Sequence, residues 1–394
     1  MGFNILYVGF FSLPDKDAAA NRVMNNAKAL RECGHNVIFI DEQVDYEYES
    51  IEQSLHKING FETWTVQRPA SKKDYLKKMV SIDSIKTVIG TQEKVDMVIA
   101  YNYPAIALFK LKTFCKRNNI ILVSDCTEWY SGKEYSFPLS VLSAIDSFLR
   151  MRIIQKKLDG LICISEYLAD YYKRVPHTLV VPPLVDTDGE IWSSEPVPFD
   201  GNKLNLVYAG NPGKSKEHLL PIIESIDKST NKQSIVFRIV GITKEQFLSI
   251  YSNNTILPEG SDEWLIFLGR KTHSETINII KSSDYMIFIR DRNRVTMAGF
   301  STKFVEAITC GTAVITTDTG ELKKYIEKLN VGYLVNSDDR LREILSQDLN
   351  ILYEQAKIRD DDSKVFDYRR YLKLFDDWLA GFTNIKGGTN DEGH

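Results

Sequence analysis

The sequence predicts an α/β protein built from two doubly wound, Rossmann-like domains. Three observations carry this expectation. Short apolar runs, of the kind found in strands buried on both faces, alternate with helical patterns. The alternation occurs twice, interrupted once at residues 185–202 by an aperiodic stretch containing Pro, Ser and Asp. The length of 394 residues suits two domains of roughly 150 residues or a little more.

In the first series, residues 3–10 form an uncharged apolar run that reads as a strand. Val23, Ala27 and Leu30 then share one helical face, and Gly34 stands where a helix stop belongs. Further strands are expected at 37–40, 95–100, 120–123, 160–164 and 179–181, with helices at 105–118 and 139–158. The second series has strands at 204–208, 236–240, 264–268, 285–289, 313–316 and 333–335, and helices at 216–226, 274–281 and 303–309. A last helix at 368–379 carries the aromatic anchors Phe375 and Trp378. The expected domains are 1–190 and 200–365, with a helix at 366–385 packing back onto the first and a disordered tail at 386–394.

Composition narrows the class. Apolar residues make up 43% and charged residues 26%, ordinary values for a globular protein. A net charge of −4 gives no global nucleic-acid signal, although local basic patches can still bind anions. Cys33, Cys115, Cys126, Cys163 and Cys310 are scattered, odd in number and lack a CxxC pair, which argues against a disulfide framework or zinc site. The N-terminus reads as a strand rather than a signal peptide, and the longest uncharged stretch, 1–14, is shorter than the ~20 residues of a membrane span. A cytoplasmic protein, able to touch a membrane surface, is expected.

In doubly wound sheets, ligands bind beyond the carboxyl ends of the strands, where helix N-termini present free N–H groups to phosphate. The densest constellation is 290–320. A strand end at Arg290 leads into a loop with Arg292 and Arg294. Gly299 permits close backbone approach, Ser301 and Thr302 can cap a helix, and Lys303 adds charge beside its N-terminus. Glu306, one turn in, can accept hydrogen bonds from ribose hydroxyls. The competing reading is a capped surface helix with a solvated basic loop. At 208–220, a glycine-rich loop after a strand invites a P-loop reading, but that motif needs a glycine where Tyr208 stands. An ordinary polar loop remains open there.

The 290–320 segment resembles the donor-site signature of glycosyltransferase family 4, the retaining GT-B enzymes. That signature pairs two glutamates eight positions apart ahead of a Gly-x-x-Val-Ile strand. Glu306 matches the second glutamate, followed by Ala307, Gly311, Ala313, Val314 and Ile315; Ala298 stands where the first would be. The 208–220 segment resembles the family's Gly-Arg…Lys element. Lys216 falls at the lysine spacing after Gly210, Asn211 takes the arginine position, and Lys214 can compensate. Gly269 and Arg270 resemble the site that holds the nucleobase.

The resemblance implies a GT-B fold whose two domains face across a cleft, with an acceptor-binding first domain and a donor-binding second one. It implies a nucleoside-diphosphate sugar as substrate rather than a cofactor, no metal, and a saccharide or lipid-linked saccharide acceptor in surface-polysaccharide assembly. Lys216 and Lys303 would stabilise charge on the departing diphosphate. Relatives place a histidine near the sugar; here the corresponding loops offer Tyr101, Asn102, Asp125 and Glu128 instead. Asp125 and Glu128 are the expected contacts to donor sugar or acceptor, and Arg22, Tyr101 and Asn102 the expected acceptor contacts; capping and plain surface roles compete. The six histidines lack an HxH or HxxxH partner and are expected to be bystanders.

The expected helix at 139–158 has Leu142, Ile145, Phe148, Leu149 and Ile153 on a broad apolar face, with Arg150, Arg152, Lys156 and Lys157 near its end. It reads either as a sheet-packing helix with a solvated basic end or as a dock for an anionic membrane. The alternatives to a transferase are a nucleotide-sugar 2-epimerase of the same architecture and a nucleotide-sugar-binding protein without catalysis.

Overall fold

The computed structural model describes residues 2–45, 47–129, 139–213, 217–251 and 256–387. The chain divides into two compact units, Met1–Val185 with Asp367–His394, and Asp186–Phe366.

The first unit holds an eight-stranded sheet made of β1 (Asn4–Gly9), β2 (Asn36–Gln43), β3 (His56–Ile58), β4 (Phe61–Gln67), β5 (Met97–Tyr101), β6 (Ile121–Cys126), β7 (Gly160–Cys163) and β8 (Thr178–Val180). Their order is β3-β4-β2-β1-β5-β6-β7-β8. The sheet is parallel except for the β3–β4 hairpin, whose turn residues Asn59 and Gly60 both have positive φ, the Asn-Gly solution of a tight hairpin. Its helices include α1 (Ala18–Glu32), α2 (Lys72–Val80), α3 (Asp83–Thr91), α4 (Ala105–Arg117) and α5 (Leu139–Leu149). Asp17 caps α1 by accepting from Ala20 N at 2.7 Å. The helix Leu372–Gly387 belongs to this unit. Phe375, Trp378, Leu379 and Phe382 join its core, and Trp378 Nε1 donates to the His177 carbonyl at 2.7 Å.

The second unit holds six parallel strands: β9 (Leu204–Ala209), β10 (Ile235–Val240), β11 (Leu265–Gly269), β12 (Tyr285–Phe288), β13 (Ala313–Thr317) and β14 (Gly332–Val335). Their order is β11-β10-β9-β12-β13-β14, which within the unit reads 3-2-1-4-5-6. Every residue of β9 and β12 is buried, as central parallel strands covered by helices on both faces require. The order reverses between β9 and β12, so the loops after these two strands flank the switch point where such sheets bind ligands.

Several elements depart from expectation. β3, β4, α2 and α3 add a block at 56–91 that the broad alternation does not reveal. The helix expected at 139–158 stops at Leu149. A π-helical turn follows at Arg150–Ile154 and a 3-10 turn at Gln155–Lys157. The wider turn accompanies two inward polar anchors: Arg150 donates to the Asn102 carbonyl, and Gln155 bonds Ser124 and Tyr172. The helix expected from 216 starts at Leu220, with Pro221 in its first turn, where a missing N–H breaks no intrahelical bond. The last helix runs to Gly387, beyond the expected start of a disordered tail at 386; residues 388–394 of that tail lie outside the described residues.

Candidate functional site

In the second unit, three neighbouring strands end in glycines of positive φ: Gly210 after β9, Gly241 after β10 and Gly269 closing β11. The row is stitched together by Gly210 N to the Val240 carbonyl, 2.9 Å, and Gly241 N to the Gly269 carbonyl, 2.7 Å. Bare backbone is required here. A Cβ on Gly241 would stand 2.3 Å from the Gly210 carbonyl oxygen, and one on Gly210 would stand 2.8 Å from Lys303 Cε. Beside the row opens a cavity of about 790 Å³, lined by Asn211, Ile242, Gln246, Arg270, His273 and Glu306 among others.

Lys303 belongs to the helix Thr302–Thr309, whose N-cap Ser301 accepts from Phe304 N. Phe300 and Phe304 pack with Tyr325 and Phe366 and so fix this helix start. The Lys303 ammonium lies 3.1 Å from Glu217 Oε2. Arg290, just past β12, donates its Nε to Glu217 Oε1 at 2.7 Å, and the Tyr208 hydroxyl also donates to Glu217. Glu217 is 1% exposed. Burial pushes its carboxyl up, but the Lys303 and Arg290 charges, with hydrogen bonds from Tyr208 and Arg290, outweigh that and hold it below the usual carboxylate range. Among the described residues two cations share one carboxylate, which gives the cluster one net positive charge beside Gly210 and the helix N-terminus. This is a pre-set locus for an anion.

Glu306, one turn further along, is partly exposed in the cavity, with His273 Nε2 3.2 Å from its Oε1. Either neutral with Nε2–H or protonated, the imidazole can donate to that carboxylate. His273 was expected to be a bystander. It reaches the cavity because it opens the helix His273–Lys281, which Thr272 caps reciprocally with Glu275. Periodicity does not single out such a residue, and Glu217 hides in the same way among polar loop residues. Both lie in connections that follow strands, β9 and β11, and only their distant-in-sequence partners give them a role.

The remaining second-unit expectations divide. Gly210, Asn211, Arg270, Lys303 and Glu306 are brought together, with Gly269 at the end of the glycine row. Asn211 accepts from Gly213 N at 2.9 Å. Lys214 and Lys216 lie outside the described residues. Gly299 has an ordinary extended φ of −86° and ends the short helix Arg294–Ala298, which replaces part of the expected loop; its carbonyl is what a Cβ on Gly320 would meet. Ser301 and Thr302 act at the helix start, as cap and first residue. Arg292 pairs with Asp318 at 3.2 Å.

Residues 193–361 match the family model of Glycosyl transferases group 1.

The matched segment lies wholly within the second unit and contains the glycine row, Glu217, Arg290, Lys303, His273 and Glu306. Curated proteins provide no match to the sequence. Among solved structures, sucrose-phosphate synthase from Thermosynechococcus elongatus is similar over 97% of this chain and 100% of its own, with a TM-score of 0.71 and 13% identity. The catalytic domain of starch synthase IV from Arabidopsis thaliana, bound to ADP and acarbose, covers 97% of this chain and 100% of its own, at TM-score 0.68 and 10% identity. Anabaena HepE in complex with UDP covers 96% and 100%, at TM-score 0.64 and 15% identity. At these identities the likeness shows the fold, and that fold is GT-B, as expected.

In the first unit, Asp125 is wholly buried rather than presented to a substrate. Its Oδ1 lies 2.8 Å from Arg22 Nη2, and its Oδ2 accepts from the Tyr7 hydroxyl at 2.5 Å. Arg22, expected at the acceptor, is itself 3% exposed and also donates to the Val181 carbonyl at 2.9 Å. The pair ties α1, β1 and β6 to the chain leaving β8, a framework role. Asn102 takes a left-handed φ of 42° and bonds Thr127 at 2.6 Å, with Tyr101 beside it, its hydroxyl 3.3 Å from Thr127 Oγ1. Glu128 alone of the two expected carboxylates is exposed. A cavity of about 380 Å³ in this unit is lined by Phe10, Arg68, Asp74, Lys77, Lys78 and Tyr103 among others, and by none of Arg22, Tyr101 and Asn102. Among the described residues, no group of three or more His, Cys, Asp or Glu side chains is placed to hold a metal ion.

Proposed function

We propose that the chain is a retaining glycosyltransferase that binds a nucleoside-diphosphate sugar in the second unit's cavity. The acceptor is a saccharide or lipid-linked saccharide, in the assembly of a surface polysaccharide at the cytoplasmic face of a membrane. One observation carries the reading. A bare glycine row, a cation pair held by Glu217 and the cavity-facing Glu306 meet at the switch point of a sheet within the glycosyl transferase segment. HepE is seen in complex with UDP and starch synthase IV with ADP, which supports the same class of donor here.

The chemistry follows from these groups. The base lies against the backbone at Gly269 and Arg270, and Glu306 accepts from the ribose hydroxyls, with His273 orienting its carboxylate. The diphosphate rests by Gly210 and the start of helix Thr302–Thr309. As the sugar–phosphate bond breaks, charge grows on the leaving diphosphate. Lys303 and Arg290, already desolvated and aimed, stabilise that charge with little reorganisation and take the part a metal plays elsewhere; Lys214 and Lys216 extend the cationic set. The acceptor hydroxyl attacks from the face the diphosphate leaves, and its proton passes to the departing diphosphate oxygen, so no enzyme nucleophile is assigned. Of Asp125 and Glu128, the exposed Glu128 is the one assigned to meet acceptor or sugar.

A thermal-shift panel of UDP, GDP, ADP, CMP and their sugar conjugates on wild type and Glu306→Ala tests the reading, because a ligand of the folded state raises Tm by mass action. Stabilisation by one diphosphate series, lost in the variant, is the expected outcome. No shift from any nucleotide at saturating concentration would sink the donor site. Ala298, in place of the family's first glutamate, favours a second reading as a binding protein without turnover. Product analysis separates the cases: transfer to an acceptor, an isomerised free nucleotide-sugar as an epimerase would give, or binding alone.

A further inference from the structure

We propose that one face of the first unit, built from α2, α4 and α5, docks on an anionic lipid surface. α5 does not bury its apolar stripe. Leu142, Ile145 and Phe148 stand on its outer side, the last two 52% exposed, and Ile153 continues them in the π-helical turn. α4, which packs against both α2 and α5, exposes Ile106 and Phe109, the latter 59% exposed. Single exposed apolar residues are ordinary, but neighbouring stripes on adjacent helices mark a surface made to be covered.

The charges around these stripes say what covers them. A groove of about 630 Å³ between α2, α3 and α4 is lined by Lys77, Lys86, Phe109, Lys110 and Arg117, with Asp83 its one carboxylate among the described residues. Four cations against one anion, in a chain whose net charge is −4, concentrate positive charge where the apolar side chains emerge. At the end of α5, Arg152 lies 5.3 Å from the Phe148 ring centroid, and Lys156 and Lys157 follow, exposed. Apolar side chains flanked by long cationic ones match a bilayer whose headgroups are anionic and whose interior is apolar. A second copy docking on the same face would set cation against cation, and a nucleic acid would leave the apolar stripes without a partner. Among the described residues no helix is long and apolar enough to cross a membrane, so the contact is peripheral.

Co-sedimentation of the full chain with phosphatidylcholine vesicles, with and without phosphatidylglycerol, is the test. Binding is expected only with phosphatidylglycerol. It should fall about tenfold or more in either Phe109→Ser/Phe148→Ser or Lys110→Glu/Arg117→Glu, and fade at high salt as screening shortens the reach of the charges. Thermal melting, together with the nucleotide shift of the second unit, verifies that both variants fold. Equal binding to neutral vesicles, no binding to either, or a dimer in analytical ultracentrifugation that the serine variant abolishes would each overturn the proposal. None of these outcomes touches the donor-site reading, which rests on the other unit.

Discussion

Lys303 lies 3.1 Å from Glu217 Oε2, and the space beside its Cε is the space a side chain at Gly210 would fill. The absence of one carbon thus positions a cation. Gly210→Ala is expected to push Lys303 aside and weaken nucleoside-diphosphate binding about tenfold, roughly 1.4 kcal/mol, by calorimetry. Gly241→Ala meets backbone instead, 2.3 Å from the Gly210 carbonyl, so it should lower Tm more than Gly210→Ala does. If the Gly210 variant bound as tightly as wild type, Lys303 would have no part in holding the diphosphate.

Glu217→Gln removes the buried carboxylate that two cations, each 12% exposed, share. Loss of one partner from a buried ion pair costs about 3–5 kcal/mol, to be read from denaturant midpoints at neutral pH. The folded-state pKa of Glu217 is depressed, so its contribution is present above the ordinary carboxylate value of 4.5 and is lost as pH falls through the folded value. The stability gap between wild type and variant should therefore close in acid. A gap that stayed constant down to strongly acidic pH would show that packing, not charge, is at stake.

Asp125 and Glu128 lie three residues apart in sequence and should behave oppositely. Asp125→Asn leaves Arg22 buried without its counter-charge and is expected to cost about 3–5 kcal/mol while leaving nucleotide affinity unchanged. Glu128→Gln, at an exposed position, should change stability by no more than about 0.5 kcal/mol and lower turnover. Unchanged turnover would remove Glu128 from the proposed chemistry.

His35 accepts the Phe3 N–H on its Nδ1 at 2.9 Å and is largely buried, and that burial lowers its pKa from the ordinary 6.5. The unfolded chain therefore takes up the proton first. Stability from this group is full above 6.5 and declines as pH falls towards the folded value. His35→Asn can still accept from Phe3 but does not titrate. Thermal melts between neutral and mildly acidic pH should show a smaller loss for this variant than for wild type.

The strand runs were legible because strands of a parallel sheet, covered on both faces, must be apolar throughout; β1, β9 and β12 stand out for that reason alone. The β3–β4 hairpin was not, since only the Asn59-Gly60 turn announces it, and a π-helical turn after Leu149 leaves no mark on a 3.6-residue pattern. Gly210, Lys303 and Glu306, which the fold brings together, stand out in the sequence because a strand end, a cap and a cation coincide within short stretches of chain. Glu217 and His273 could not, because what makes them matter is a partner far away in sequence: Lys303 and Arg290 for one, Glu306 for the other.

By itself the sequence determined the class of fold, the two βα series and the short segments from which the proposed donor site is drawn, because burial pattern, capping and glycine placement act over a few residues. Only the tertiary structure decided which charges are free. Asp125 and Arg22 read as a catalytic carboxylate and an acceptor contact, yet the fold brings them within 2.8 Å and buries them together, whereas it leaves the apolar face of α5 uncovered. Whether a charge meets its partner or solvent depends on distances between segments far apart in the chain, and that is settled only when the sheet closes over them.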